Sequence, residues 1–189
     1  MTLNSPTHYS AEVPTDKEPR RDVNTTTSHI MSALCELLGL KQVPGFYRSP
    51  IFLSCLAAGL VFWAVLPLLV AVQPLPWHRI SSLAFLLAVV WQPIVEELLF
   101  RGCLQGFLSL REWGQRSLVG ISIANLLTSM VFTGAHIATH PLLWASLMLF
   151  PSLLFGALRD RSASVLPPIV LHIIYNAGYF LLTGGSSLV

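Results

Sequence analysis

The chain has 189 residues, of which 53% are hydrophobic and only 11% are charged. Soluble domains carry about 25% charged residues, so this composition indicates a membrane protein. The formal net charge is only +2, which gives no indication of a nucleic-acid partner. We therefore expect the folded part of the chain to lie in the lipid bilayer, and we expect no nucleic-acid partner.

The N-terminal part is polar, and its character changes near residue 28. Residues 1–28 are rich in Thr, Pro and charge, a composition that cannot form a core and predicts a disordered tail. Residues 29–50 are predicted to be an interfacial helix and a linker. Within them, Ile30–Leu40 places its large apolar side chains near one helical face, as expected for a helix lying on a membrane surface.

Residues 51–189 form the predicted transmembrane domain. A span needs about 20 apolar residues, and several runs approach or exceed that length. The fold class is therefore predicted to be an all-α, polytopic transmembrane helical bundle with about five membrane segments and a polar active site inside it. Nine Lys and Arg residues fall on one side of this arrangement and one on the other, which favours a cytoplasmic N-terminus. The five segments are Ile51–Gln73, Ile80–Leu110, Leu118–His136, Leu142–Leu158 and Val165–Thr183.

The second segment contains three charged residues inside an otherwise apolar run, in the sequence PIVEELLFRG. Charged side chains within a span cost about 2.5–3.5 kcal/mol on insertion scales, so they mark a functional site by default. Glu97 and Arg101 are i,i+4 and can pair on one helical face. Glu96 points about 100° away and is left as a candidate general base. The alternative is a structural ion pair between helices.

Two later segments supply polar partners. His136 lies at the end of the run VFTGAH, and His172 and Asn176 are i,i+4 in LHIIYN. A glutamate and a histidine can hold and deprotonate a water molecule, while a histidine and an asparagine can donate hydrogen bonds to an oxyanion. This chemistry is peptide hydrolysis without a nucleophilic side chain and without a cofactor. Each histidine could instead be a packing residue.

Two other functions are compatible with the same residues. Glu96, His136, His140 and His172 have side chains that can bind zinc, so a metal-dependent membrane protease is one alternative. A non-catalytic membrane immunity or scaffold protein is the other. A scaffold does not require Glu96, His136, His172 and Asn176 together, and their joint presence favours the enzyme.

The motifs resemble those of a known family. EELLFR fits an EExxxR pattern, FTGAH fits FxxxH and HIIYN fits HxxxN, in the order found in the CPBP family of CAAX proteases and bacteriocin-processing (Abi) enzymes, which are glutamic intramembrane proteases. The resemblance covers residues 80–183. It implies that Glu96 activates water with His136 and that His172 and Asn176 form the oxyanion site. It also implies supporting roles for Glu97 and Arg101, with no metal and no cofactor.

The resemblance also implies a substrate and a location. The substrate would be a protein or peptide at the membrane, either prenylated or carrying a leader or a C-terminal sorting segment. The compact motif-bearing part resembles prokaryotic members, which predicts a multi-pass protein of a prokaryotic cell membrane.

One geometric difficulty concerns the third segment. If it begins at Leu118, His136 lies about 27 Å along it, whereas His172 lies only about 10 Å from the same membrane side. Either the third helix begins later, with the preceding residues in the interface, or one span is tilted or re-entrant.

Overall fold

The computed structural model describes residues 23–68 and 72–184, and these are mostly helical. The predicted tail falls largely on residues 1–22, which lie outside the described residues. A two-stranded hairpin, β1 Ser117–Leu118 and β2 Ile121–Ser122, precedes the fifth helix. The described helices are α1 Val23–Leu38, α2 Pro50–Leu68, α3 Leu83–Ser109, α4 Glu112–Gln115, α5 Ile123–Ile137, α6 Leu142–Ser162 and α7 Leu166–Thr183.

Four of these helices are long and apolar enough to cross a membrane. They are α2, α3, α6 and α7, with 19, 27, 21 and 18 residues. About 20 residues span the hydrocarbon core, so the chain is an integral membrane protein with a helical bundle, as predicted. The third predicted segment forms α5, an apolar helix of 15 residues that is about 22 Å long.

The start of α5 reduces the predicted difference in depth between His136 and His172. The helix begins at Ile123 and not at Leu118, because the residues before it form the hairpin. Ser122 caps the helix, and its hydroxyl accepts a hydrogen bond from the backbone N–H of Asn125 at 3.0 Å. The structure therefore agrees with the first of the two alternatives, in which the third helix begins later.

The first helix begins earlier than predicted. It starts at Val23, so the boundary placed at residue 28 falls inside α1. Its C-terminal end packs on α3, where a Cβ atom at Gly102 would lie 3.2 Å from the carbonyl oxygen of Leu38. Arg159 of α6 also donates a hydrogen bond to the carbonyl of Leu37 at 3.1 Å. These contacts attach α1 to the membrane domain, while its predicted interfacial position stays a prediction.

The main apolar core lies where α2, α6 and α7 meet. It contains Phe52, Cys55, Phe155, Leu158 and Leu171, all buried. A Cβ atom at Gly59 of α2 would overlap the ring of Tyr175, so glycine allows α7 to approach closely. The Tyr175 hydroxyl donates a hydrogen bond to the carbonyl of Cys55 at 2.5 Å. This packing fixes α7, the helix that carries His172 and Asn176.

Candidate active site

Helix α3 departs from α-helical geometry on both sides of the glutamate pair. Leu87–Trp91 and Leu98–Gln105 are π-helical, and the α-helical turn Gln92–Glu97 lies between them. π-Helical turns are rare and occur frequently at functional sites, because they change which side chains share a face. Pro93 lies just after the first of them, where it cannot donate a backbone hydrogen bond.

Glu97 lies at the centre of a buried charge cluster. Its side chain is fully buried, and its Oε2 atom lies 3.2 Å from Nε of Arg101, which confirms the predicted pair. Neither atom of this contact has a directed hydrogen bond within the described part of the chain, so the contact is ionic. The other oxygen, Oε1, lies 2.9 Å from Nδ1 of His172. Glu97 therefore joins α3 to α7.

Arg101 is held by α5 and α6 as well as by Glu97. Its Nη2 donates to both the backbone oxygen and the hydroxyl of Ser152, each at 2.8 Å. Its guanidinium carbon lies 4.9 Å from the ring centre of Phe132 and 5.6 Å from that of Phe155. A cation between two aromatic faces is attracted by both rings, and the gain is largest when water is absent. We refer to Glu97, Arg101, Ser152 and His172 as the inner cluster.

His172 connects the inner cluster to the second glutamate. Its ring stacks on Phe155, with centroids 4.7 Å apart. Since Nδ1 lies at hydrogen-bond distance from the carboxylate of Glu97, Nδ1 is the donor and carries a proton. The opposite nitrogen, Nε2, therefore faces Oε2 of Glu96 at 3.8 Å. That distance exceeds a hydrogen bond, so the two groups face each other without being bonded.

Glu96 is more accessible than Glu97. Its side chain retains 17% exposure, and its Oε1 accepts a hydrogen bond from Nε2 of Gln92 at 2.8 Å. Gln92 is one helical turn earlier on α3, so the two side chains share a face. One carboxylate oxygen is thus fixed by Gln92, while Oε2 is left to face His172.

His136 lies near the end of α5 and is half-buried. Its Nδ1 lies 2.9 Å from the carbonyl oxygen of Phe132, which makes Nδ1 the donor and leaves Nε2 as an acceptor in the neutral ring. The Phe132 ring packs against His136 at 4.4 Å between centroids and against His172 at 6.2 Å. Phe132 therefore lies between the two histidines. His140 is exposed and contacts the hydroxyl of Thr139 at 2.8 Å.

Asn176 is anchored to α3 by a carbonyl that proline leaves free. The backbone N–H of Gln92 donates to the oxygen of Leu87, which is the π-helical i to i−5 pattern. In the same register the next donor would be residue 93 and its acceptor Ala88, but Pro93 has no N–H. Nδ2 of Asn176 instead donates to the oxygen of Ala88 at 3.1 Å. An amide carries two N–H groups, so Asn176 keeps one for another acceptor.

The structure thus brings the predicted residues together from three helices. Glu96, Glu97, Arg101 and His172 are neighbours, His136 is connected to them through Phe132, and Asn176 is bonded to α3. Neither Ser152 nor the Glu97–His172 contact was indicated by any sequence pattern. The contact between Gln92 and Glu96 could have been predicted from the sequence, because the two residues are i,i+4. Among the described residues, no group of three or more His, Cys, Asp or Glu side chains is arranged as a metal site.

Comparison with known proteins adds to this geometry. Residues 78–178 match the sequence model of the Rce1-like family, described as type II CAAX prenyl endopeptidase Rce1-like. The chain belongs to this family. No curated protein and no solved structure matches the chain. The Rce1-like match confirms the resemblance to CPBP proteases, and at the family level the chain is a CAAX-type intramembrane endopeptidase with a membrane-associated protein or peptide as its substrate.

Proposed function

We propose that the chain is a glutamic intramembrane endopeptidase in which Glu96 and His136 activate a water molecule. The observation that supports this most strongly is the position of His172 between two glutamates of different exposure. The buried Glu97 is already neutralised by Arg101, so it holds His172 in place. The half-buried Glu96 keeps one oxygen, Oε2, directed into the site and is free to accept a proton.

The proposed reaction begins with water. Glu96 accepts a proton from the water while His136, through its Nε2, accepts a hydrogen bond from it, and the water oxygen attacks the substrate carbonyl carbon. The carbonyl oxygen becomes an oxyanion. When the tetrahedral intermediate collapses, the carbon–nitrogen bond breaks and Glu96 returns its proton to the leaving amine. The products are a free amino terminus and a carboxylic acid, which then loses its proton to water.

The oxyanion would be stabilised by donors on α7. Asn176 has one amide N–H that is not used by Ala88. A protonated His172 could donate from Nε2, and its charge would compensate the carboxylate of Glu96, since Glu97 and Arg101 already neutralise one another. Each such donor contributes about 3–4 kcal/mol to transition-state stabilisation in known hydrolases.

The substrate would be a segment of a protein or peptide next to the membrane, either prenylated or carrying a leader or a C-terminal sorting sequence. Prenylated ends are the first class to test, because the matched family is described by them. The compact motif-bearing part, residues 80–183, supports a prokaryotic cell membrane as the location.

Mapping new protein termini in cells tests the proposal even when the substrate has not been identified. Cells carrying the wild-type protein are compared with cells carrying Glu96→Gln, which keeps the size of the side chain and removes the base. The matched control is Glu112→Gln, an exposed glutamate on α4 that lies outside the site. We expect a set of termini that is present with wild type and Glu112→Gln and absent with Glu96→Gln. If the same termini persist with Glu96→Gln, the proposed role of Glu96 is wrong.

A further inference from the structure

The hairpin between α4 and α5 exposes apolar side chains at its tip. Ser117 pairs with Ser122 and Leu118 with Ile121, which leaves Val119 and Gly120 as a two-residue turn. Leu118 is 68% exposed and Val119 is 95% exposed, so these two side chains lie outside the core that the described residues form. The hairpin is nevertheless attached at its base, where the Ser122 hydroxyl donates to Oδ2 of Asp160 on α6 at 2.7 Å.

The backbone conformation at the tip is unfavourable for valine. Val119 has φ 53° and Gly120 has φ 81°. Two successive positive φ values are the geometry of a type I′ turn, for which Asn-Gly is the preferred sequence. A β-branched residue in this conformation is an outlier, because its Cβ substituents crowd the backbone. Valine is disfavoured in this turn geometry, and its apolar side chain is disfavoured in water. We therefore infer that the Val119 side chain contacts an apolar environment outside the protein.

Further apolar side chains are exposed in the segment of chain that leads to the hairpin. Phe107 and Leu110, at the end of the membrane-spanning helix α3, are 52% and 66% exposed. Trp113 on α4 is 43% exposed, and tryptophan is enriched at membrane–water interfaces. The segment between α3 and α5, which ends in the hairpin tip, is therefore rich in exposed apolar side chains.

The same segment carries two basic residues. Arg111 and Arg116 are exposed on either side of α4, with Glu112 as the acidic residue between them. The guanidinium of Arg111 lies 5.8 Å from the ring centre of Phe107. An apolar segment that carries arginines is suited to an interface with anionic headgroups, where each arginine adds about 1 kcal/mol of attraction. The Lys and Arg distribution predicts that this end is cytoplasmic, the side on which anionic lipids face the protein.

We propose that the hairpin tip, Leu118–Gly120, inserts into the headgroup region of the bilayer and that Arg111 and Arg116 contact anionic lipid phosphates. The hairpin leads directly into Ser122, the N-cap of α5. Its attachment to the membrane would therefore fix the depth at which α5 begins. This inference does not depend on the proteolytic mechanism, because it concerns only how the chain meets the lipid.

Site-directed spin labelling tests the insertion. In a full-length background with Cys35, Cys55 and Cys103 replaced by alanine, a single cysteine is placed at Val119 and labelled in nanodiscs of phosphatidylglycerol and phosphatidylcholine. We expect the label to be accessible to oxygen and shielded from a water-soluble nickel reagent. A label at Glu112, on the polar flank, should be the more accessible of the two to nickel. Equal nickel accessibility at both positions would overturn the insertion.

The lipid headgroup is tested with the same label. We expect deeper insertion in phosphatidylglycerol than in phosphatidylcholine, and we expect Arg111→Gln with Arg116→Gln to remove that difference. Equal depth in both lipids without these substitutions would overturn the role of anionic phosphates. If Val119→Cys does not yield folded protein, Leu118→Cys provides a second label on the same tip with the same expected results.

Discussion

The two glutamates of α3 are adjacent in sequence, yet their surroundings differ. Glu97 belongs to the inner cluster, where Arg101 and His172 occupy its oxygens and no side-chain surface is exposed. Glu96 contacts Gln92 and faces His172 across 3.8 Å, and it retains part of its surface. We refer to Glu96 and Gln92 as the open side. This difference is the basis of the proposed division of roles, in which Glu97 holds the helices together and Glu96 is available for chemistry.

The inner cluster should determine stability. Arg101→Leu removes the cation that compensates Glu97 and leaves a buried carboxylate, which we expect to lower the free energy of unfolding by about 3–5 kcal/mol. Denaturant titration of the purified protein in detergent micelles measures this loss. The control is Arg111→Leu, an exposed arginine just beyond the same helix, with an expected change within about 0.5 kcal/mol. Similar small losses for both variants would contradict the structural role of the cluster.

The packing that supports the cluster continues between α5 and α6. A Cβ atom at Gly156 would overlap the buried side chain of Asn125, whose Nδ2 donates to the carbonyl of Leu153 at 3.0 Å. We expect Gly156→Ala to lower the free energy of unfolding by about 1–3 kcal/mol. At Gly134 of α5 no atom would lie within 4 Å of an added Cβ. Alanine favours helices over glycine, so Gly134→Ala should not destabilise the protein. The same unfolding experiment compares the two, and an equal effect would show that this contact is not tight.

The open side should determine rate rather than stability. Gln92→Leu removes the hydrogen bond that holds Oε1 of Glu96, and a catalytic group that loses its fixed position reacts more slowly. The bond is exposed, so its loss should cost little stability. We therefore expect kcat/KM to fall by about tenfold on a substrate identified by mapping of termini, with an unchanged unfolding midpoint. Gln115→Leu is the matched control, since Gln115 is an exposed glutamine that donates to Ser109 away from the site. Unchanged kinetics for Gln92→Leu would show that Glu96 needs no such support.

The sequence predicted the parts of this comparison that depend on local spacing. Hydropathy predicted the membrane helices, and the i,i+4 relation predicted the pair Glu97–Arg101. The contact between Glu97 and His172 joins residues 75 positions apart, so it depends on tertiary packing that no local pattern encodes. Likewise, the π-helical turns change which side chains of α3 share a face. An analysis of the sequence that assumes 3.6 residues per turn does not detect them.

The beginnings of two helices were misplaced for separate reasons. Hydropathy alone extended the third segment back to Leu118, although Gly120 and the capping residue Ser122 were available as turn and cap signals. The polar residues before Ile30 suggested a tail, yet α1 begins at Val23. Composition indicates whether a segment can form a hydrophobic core. It does not determine where a helix begins when that helix packs on the outside of the core.

We propose that Glu96 acts in the chemistry and contributes little to the fold. The most direct test of this claim is kcat/KM of purified Glu96→Gln on a substrate identified by mapping of termini, with the free energy of unfolding measured on the same preparation. We predict a loss of about 10²–10⁴-fold in kcat/KM and a change in unfolding free energy within about 0.5 kcal/mol. Turnover by Glu96→Gln at the wild-type rate would contradict the claim.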